Sequence, residues 1–216
     1  MTNSDDFKVI KNTDEKTTIL YYENVDIDGL IARQPFYDLI VKTGRKKIYN
    51  RAHEWCCGHG AIGFKMLQEQ LCNHLVLTDK FLPATTSCKF TAGVNELNDL
   101  VTIYNNEFLG ELPDTEKWDL FMANPPWRPE LVQNFYKNWS PDDIRKQFDI
   151  NWETHTILWD NISKYLTDDA DVYLFEHARF SNRDTWKDQI AAAGLKIHDI
   201  YSPFIGETYV MHLIKN

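Results

Sequence analysis

The sequence predicts an α/β fold, an open sheet that takes its ligand at the carboxyl ends of its strands, and three stretches predict it. Trp118-Asp119-Leu120-Phe121-Met122-Ala123 is short and mostly apolar, as suits a strand buried on both faces. It runs straight into Asn124-Pro125-Pro126-Trp127. Each proline there lacks an N–H and fixes its own φ, so the strand must stop at Asn124. Ile48 to Leu67 reads as strand, glycine-rich turn and helix, with Gly58, Gly60 and Gly63 in and after the turn. Leu75-Val76-Leu77-Thr78-Asp79 is another apolar strand, and it ends in an acid.

The remaining elements follow in chain order. Residues 1–16 are polar and charged and read as a frayed leader. Thr17 to Tyr22 is β-branched and aromatic, a strand. Pro35 to Thr43 is a helix, with Pro35 in its first turn and Gly44 as its stop. Residues 1–45 thus form a strand-helix extension ahead of a main domain over residues 46–216. Within that domain a helix is expected over Pro83 to Asn95 and a strand over Leu100 to Tyr104, followed by Asn105-Asn106-Glu107-Phe108. Residues 129–166 hold two or more helices, one starting at Ser140-Pro141-Asp142-Asp143. A strand over Asp171 to Phe175, a helix from Trp186 closed by Gly194, and strands over Lys196 to Tyr201 and Thr208 to Ile214 complete the chain.

Composition narrows the function. At 216 residues and 25.4 kDa the chain is long enough for one three-layer core. No apolar run approaches a membrane span, and the start Met1-Thr2-Asn3-Ser4-Asp5-Asp6 carries no secretory signal. Cys56, Cys57, Cys72 and Cys88 show no repeating framework, which predicts free thiols in a cytoplasmic protein. The formal net charge of −9 opposes a polyanionic partner, although Arg45, Lys46, Lys47 and Arg51 make a local basic stretch. Arg128, Lys137, Arg145 and Lys146 are outnumbered by Glu130, Asp142, Asp143, Asp149 and Glu153, so that region is no basic clamp.

The chemistry gathers at the strand ends. Asn124 offers a side-chain carbonyl and Pro125 a backbone carbonyl, two acceptors for both hydrogens of a planar –NH2 group. Trp127 offers a flat face to the system bearing that group. Such a nitrogen is a poor nucleophile, so orientation toward an electrophile is the main help available to it. In the glycine turn, Gly58 and Gly60 let the backbone approach a ligand, and Gly63 permits tight helix packing; no Gly-Lys-Ser/Thr follows, so this is not a phosphate-binding P-loop. Asp79 follows Gly60 by 19 positions, close to the roughly 20 expected of an acid that bonds a ribose; a helix N-cap or a turn residue is the alternative role. His53, Cys56, Cys57 and His59 resemble a metal set in composition only, because alternate residues of a strand face opposite ways and His59 sits inside the turn. A dinucleotide oxidoreductase shares the glycine turn and Asp79 but has no need of Asn-Pro-Pro-Trp.

Taken together, these motifs resemble the class I S-adenosylmethionine-dependent methyltransferases over roughly residues 48–214. The resemblance implies a Rossmann-like, seven-stranded, mostly parallel sheet with helices on both faces and the last strand antiparallel. It implies S-adenosyl-L-methionine as cofactor, with Glu54, Gly58 and Gly60 at its methionine moiety and Asp79 on its ribose. Asn106 or Glu107 would meet its adenine amino group, with Phe108 beside the ring. Cys56 stands where the family's first glycine usually sits. Asn124, Pro125, Pro126 and Trp127 match the catalytic motif of enzymes that methylate planar nitrogens, chiefly the adenine amino group of nucleic acid or the glutamine amide of protein. A small-molecule acceptor and a non-catalytic partner subunit are the alternatives.

Overall fold

The computed structural model describes residues 7–10, 17–22, 28–107, 109–129 and 148–216. Its centre is a seven-stranded sheet of β3 (Tyr49–Trp55), β4 (Cys72–Asp79), β5 (Val101–Asn105), β6 (Trp118–Ala123), β7 (Leu166–His177), β8 (Leu195–Tyr201) and β9 (Thr208–Lys215). The spatial order is β5-β4-β3-β6-β7-β9-β8. Pairs from β5 to β7 are parallel, and β9 runs antiparallel to both β7 and β8. From β3 the chain moves outward to β5, then crosses back to lay β6 on the other side of β3. That reversal is a topological switch point, where the crevice of an open α/β sheet forms.

β6 shows why these residues make a central strand. All six are buried. Leu120 and Met122 join the apolar cluster on one face, with Phe36, Phe64, Leu75, Leu77 and Phe175. Phe121 and Ala123 join the other, with Trp118, Leu158, Ile162, Val172 and Leu174. Helices α1 (Asp28–Thr43), α2 (Ala61–Gln68) and α3 (Leu82–Val94) cover the first face. Helices α4 (Glu153–Tyr165) and α5 (Lys187–Ala192) cover the second. The hydrophobic effect thus fixes both faces, and the pleat's period of two sorts the side chains between them.

Several elements depart from expectation. Residues 1–16 are not all leader: β1 (Phe7–Ile10) pairs antiparallel with β2 (Ile19–Tyr22). A short apolar run is enough for this because β2 is itself anchored. Leu20 N donates to Thr91 Oγ1 on α3, Thr18 N donates to Asn95 Oδ1, and Asn95 Nδ2 donates back to Thr18 O. α1 starts at Asp28, so Pro35 lies inside it and not in its first turn. The bond that Pro35 cannot donate would have gone to Ile31, which is 60% exposed, and water can satisfy a carbonyl there. β7 extends beyond both expected ends. The proposed helix start at Ser140 lies outside the described residues.

Arg45, Lys46 and Arg51 of the basic stretch are neutralised internally, while Lys47 is exposed. Arg45 pairs with Asp171 at 2.6 Å, Lys46 with Asp119 at 2.9 Å and Asp169 at 2.8 Å, and Arg51 with Glu116 at 2.7 Å. These pairs gather at the amino ends of β3, β6 and β7, opposite the crevice. Among the described residues no helix is long and apolar enough to cross a membrane.

Candidate active site

Register brings the candidate residues to one level. Trp55 pairs with Thr78 and with Ala123, and Asp79 pairs with Asn105. The next residues, Cys56 and Asn124, therefore stand beside Asp79 along the carboxyl edge of the sheet. The cleft there is lined by Glu54, Cys56, Gly58, His59, Asp79, Asn106, Glu107, Asn124 and Pro126, together with Lys80, Phe81, Glu153, Thr154 and Ile157.

The glycine turn is held by two acids. Glu54, 3% exposed, accepts from Gly63 N at 2.7 Å through Oε2. α2 needs that acceptor, because its N-cap is Gly60, which has no side chain to offer. Burial pushes the Glu54 carboxyl up to about 8, against the lowering pull of the Gly63 and Ile62 N–H groups. Asp79 Oδ2 accepts from Gly58 N and Oδ1 from Phe81 N, each at 2.8 Å. Burial raises its pKa as well, while those two N–H groups oppose the rise.

The turn geometry explains its sequence. Gly60 has φ +75°, and a Cβ there would lie 2.9 Å from Leu77 Cδ1. A Cβ on Gly63 would fall 2.8 Å from Glu54 Oε2, so the helix could not come down onto its capping acid. Cys56 is the exception: it adopts φ 54°, left-handed backbone on a residue with a Cβ. A glycine in its place would carry no such steric cost, which is of order 1–2 kcal/mol for a left-handed L-residue.

Asn124 follows β6 into the cleft wall, and its Oδ1 is buried with no hydrogen-bond partner among the described residues. Trp127 is not among the lining residues. Its ring packs 5.5 Å from both Phe175 and His177, and its Nε1 is buried without a partner. Asn106 N donates to Asp79 O at 3.1 Å, and Glu107 pairs with Lys80 at 3.3 Å, so both stand at the Asp79 side of the cleft. Asn105 is not in the lining; its Nδ2 bonds the carbonyls of Asp79 and Lys80. Phe108 lies outside the described residues. The metal-like set is scattered: His53 bonds Thr78 Oγ1 and lies against Trp118, while Cys57 sits 3.9 Å from Cys88, both thiols free.

Sequence reasoning missed the far wall. Glu153, Thr154 and Ile157 come from α4, whose start is hidden by Asn151 and Trp152, both with positive φ. Behind that wall Asp149 accepts from Thr154 N and His155 N, and its carboxylate meets His155 Nδ1 at 2.5 Å. His155 Nε2 meets Glu176 Oε1 at 2.7 Å, and Ser181 Oγ donates to Glu176 Oε2 at 2.6 Å.

Comparison with known proteins agrees with this geometry. Residues 38–138 match the family model of the methyltransferase small domain. The ribosomal protein L11 methylase of Lactobacillus delbrueckii subsp. bulgaricus superposes with a TM-score of 0.61 at 13% identity, over 85% of this chain and 78% of that one. An S-adenosylmethionine-dependent methyltransferase from Clostridium acetobutylicum gives 0.61 at 8% identity, over 88% of this chain and 96% of that one. The fold is that of a methyltransferase. The family model and these neighbours make the enzyme class a methyltransferase and its cofactor S-adenosylmethionine. The tRNA methyltransferase TrmK of B. subtilis is a further neighbour, with a TM-score of 0.59 at 12% identity, over 85% of this chain and 64% of that one. No curated protein matches the chain in sequence.

The residues present fit that cofactor. S-adenosylmethionine carries a cationic sulfonium, a cationic amine, a carboxylate and a nucleoside. Asp79, Glu107 and Glu153 outnumber Lys80 in the lining and complement the two cations. Asp79 retains lone pairs for the ribose after its two backbone bonds.

Proposed function

We propose that the protein methylates a planar –NH2 group, and that Asn124 holds that group in place. One observation carries this reading: Oδ1 of Asn124 is buried in the cleft wall with no partner among the described residues. A buried acceptor left unsatisfied costs roughly 1–3 kcal/mol, so it calls for a donor brought by a ligand. When bound, S-adenosylmethionine supplies an electrophilic methyl group. Asn124 Oδ1 accepts one N–H of the acceptor and the Pro125 carbonyl accepts the other, which fixes the plane of the nitrogen. A carboxamide is no base, so its contribution is orientation. Pro125 and Pro126 keep the two acceptors rigid, and Trp127 braces the motif against Phe175 and His177.

Both the adenine amino group and the glutamine amide meet this requirement. The fold hosts both classes of macromolecular acceptor, since its neighbours include a ribosomal-protein methylase and a tRNA methyltransferase. The test is Asn124→Ala. The variant is expected to bind S-adenosylmethionine with little change by calorimetry and to lose transfer of labelled methyl to its acceptor. Normal turnover by that variant would refute the orientation mechanism.

A further inference from the structure

Methyl transfer to an –NH2 nitrogen leaves one proton to be removed, and the carboxamide of Asn124 cannot take it. Four carboxylates line the cleft: Glu54, Asp79, Glu107 and Glu153. Three of them are committed. Glu54 accepts from Gly63 N, Asp79 accepts from Gly58 N and Phe81 N, and Glu107 pairs with Lys80. Glu153 alone has no side-chain partner among the described residues, and it is exposed at the cleft wall.

The backbone ahead of Glu153 explains how it is placed. Asp149 N donates to Arg128 O at 2.9 Å and Asn151 N to Pro129 O at 3.1 Å, so the chain entering α4 is laced to the chain leaving Asn124-Pro125-Pro126-Trp127. Glu153 follows that lacing by two residues and reaches the cleft beside the motif. Asn151 and Trp152 hold left-handed backbone, at φ 55° and 60°, which is unfavourable for any residue with a Cβ. Asp149 keeps them there, its carboxylate accepting from Thr154 N and His155 N. Strain that the surroundings maintain at a cleft wall points to a side chain whose position matters. We propose that Glu153 is a second catalytic residue, the proton acceptor for the nitrogen that Asn124 orients, a role that rests on the planar-amine reading. The nitrogen lone pair forms the new N–C bond, and the C–S bond of the cofactor breaks with its electron pair left on sulfur. One N–H proton passes to a Glu153 oxygen, directly or across one water. Sulfonium and carboxylate are both neutral afterwards, so the step cancels a pair of charges and creates none. From its exposed position the carboxyl group returns the proton to water before the next turnover.

The test is transfer of labelled methyl from saturating S-adenosylmethionine into a cell lysate, read beside calorimetry of cofactor binding by the full chain. Glu153→Gln keeps the size of the side chain and removes its basicity. It is expected to slow transfer by about a hundredfold or more, the scale of general-base catalysis, and to leave cofactor affinity little changed. Glu153→Ala is expected to be as slow and to regain part of its rate when formate, a small carboxylate, is added. Asn124→Ala keeps its base and is expected to gain nothing from formate. Normal transfer by Glu153→Gln at saturating cofactor would overturn the assignment. If cofactor affinity fell at the same time, Glu153 would be a counter-charge to the cofactor instead. The two readings fail separately. An active Glu153→Gln beside an inactive Asn124→Ala removes the proton acceptor alone, and the reverse pattern removes the orientation on which it rests.

Discussion

At Asp79 one carboxylate has two partners on the protein before any ligand is considered, Gly58 N and Phe81 N at 2.8 Å each. Asp79 thus serves as a turn residue and not as the N-cap of α3, which is Phe81, and the turn role is compatible with a ribose contact, since a carboxylate has about four lone-pair sites. Asp79→Ala is expected to lower Tm, because two backbone donors lose a charged acceptor, and to weaken S-adenosylmethionine by about tenfold or more, hydrogen bonds to charged groups being worth roughly 1.5–3 kcal/mol. Thermal melts and calorimetry on the same variant separate the two effects. A lowered Tm with unchanged affinity would move the ribose contact elsewhere. Much of the cleft was legible at this scale because strand ends and glycines mark themselves: Glu54, Cys56, Gly58, Asp79, Asn106, Glu107 and Asn124 line it, whereas Gly60 stands outside the lining as the N-cap of α2. Glu153, Thr154 and Ile157 were not legible as cleft residues, because the left-handed backbone at Asn151 and Trp152 hides the start of α4.

Between elements, the group that joins most is His155 of α4. It is fully buried between Asp149, just ahead of the helix, and Glu176 on β7, and it stacks on Trp186 at 4.5 Å. Asp149 N also donates to Arg128 O, and Asn151 N to Pro129 O. The chain just past Trp127 is thus tied to α4 and β7 through one imidazole. Burial works against a charge there, but Glu176 and Asp149 outweigh it and hold the His155 pKa up to about 9, above the ordinary 6.5. A group raised in the folded state contributes stability that is complete below its unfolded pKa and is lost as pH rises through the folded one. Glu54, raised to about 8, acts in the same direction. The two contributions are therefore expected to lower Tm over about pH 4.5 to 8 for Glu54 and about pH 6.5 to 9 for His155, and His155→Gln should lower Tm at neutral pH and flatten the decline above about pH 8, where Glu54 has already ionised. An identical slope in wild type and variant would remove His155 from the account. Sequence rules placed β6 correctly because its apolar run, its length and its proline stop agree. They misplaced the start of α1, where Pro35 suggested a first turn, and they offered no start for α4, whose entry through Asn151 and Trp152 carries no capping residue.

Over the whole molecule, charge decides what approaches the cleft. The sequence showed Arg45, Lys46, Lys47 and Arg51 as a basic cluster. It could not show that Asp119 and Asp171 come from distant strands to meet them, nor that Glu116 reaches Arg51. With those cations committed at the amino edge, and with Asp79, Glu107 and Glu153 at the carboxyl edge, the described residues of the cleft lining set Lys80 alone against the net charge of −9. A protein that grips phosphates shows affinity that falls steeply with salt as counterions are released. This chain alone is expected to bind bulk DNA or RNA weakly, with a shallow salt slope, in a fluorescence-polarisation titration over increasing salt. The matching experiment on the acceptor is transfer of labelled methyl into a cell lysate divided into nucleic-acid, protein and small-molecule fractions. Label is expected in the protein fraction, as methylated amide. Tight, salt-sensitive binding together with label confined to nuclease-sensitive methyladenine would overturn the electrostatic argument, while leaving the Asn124 mechanism standing on its own test.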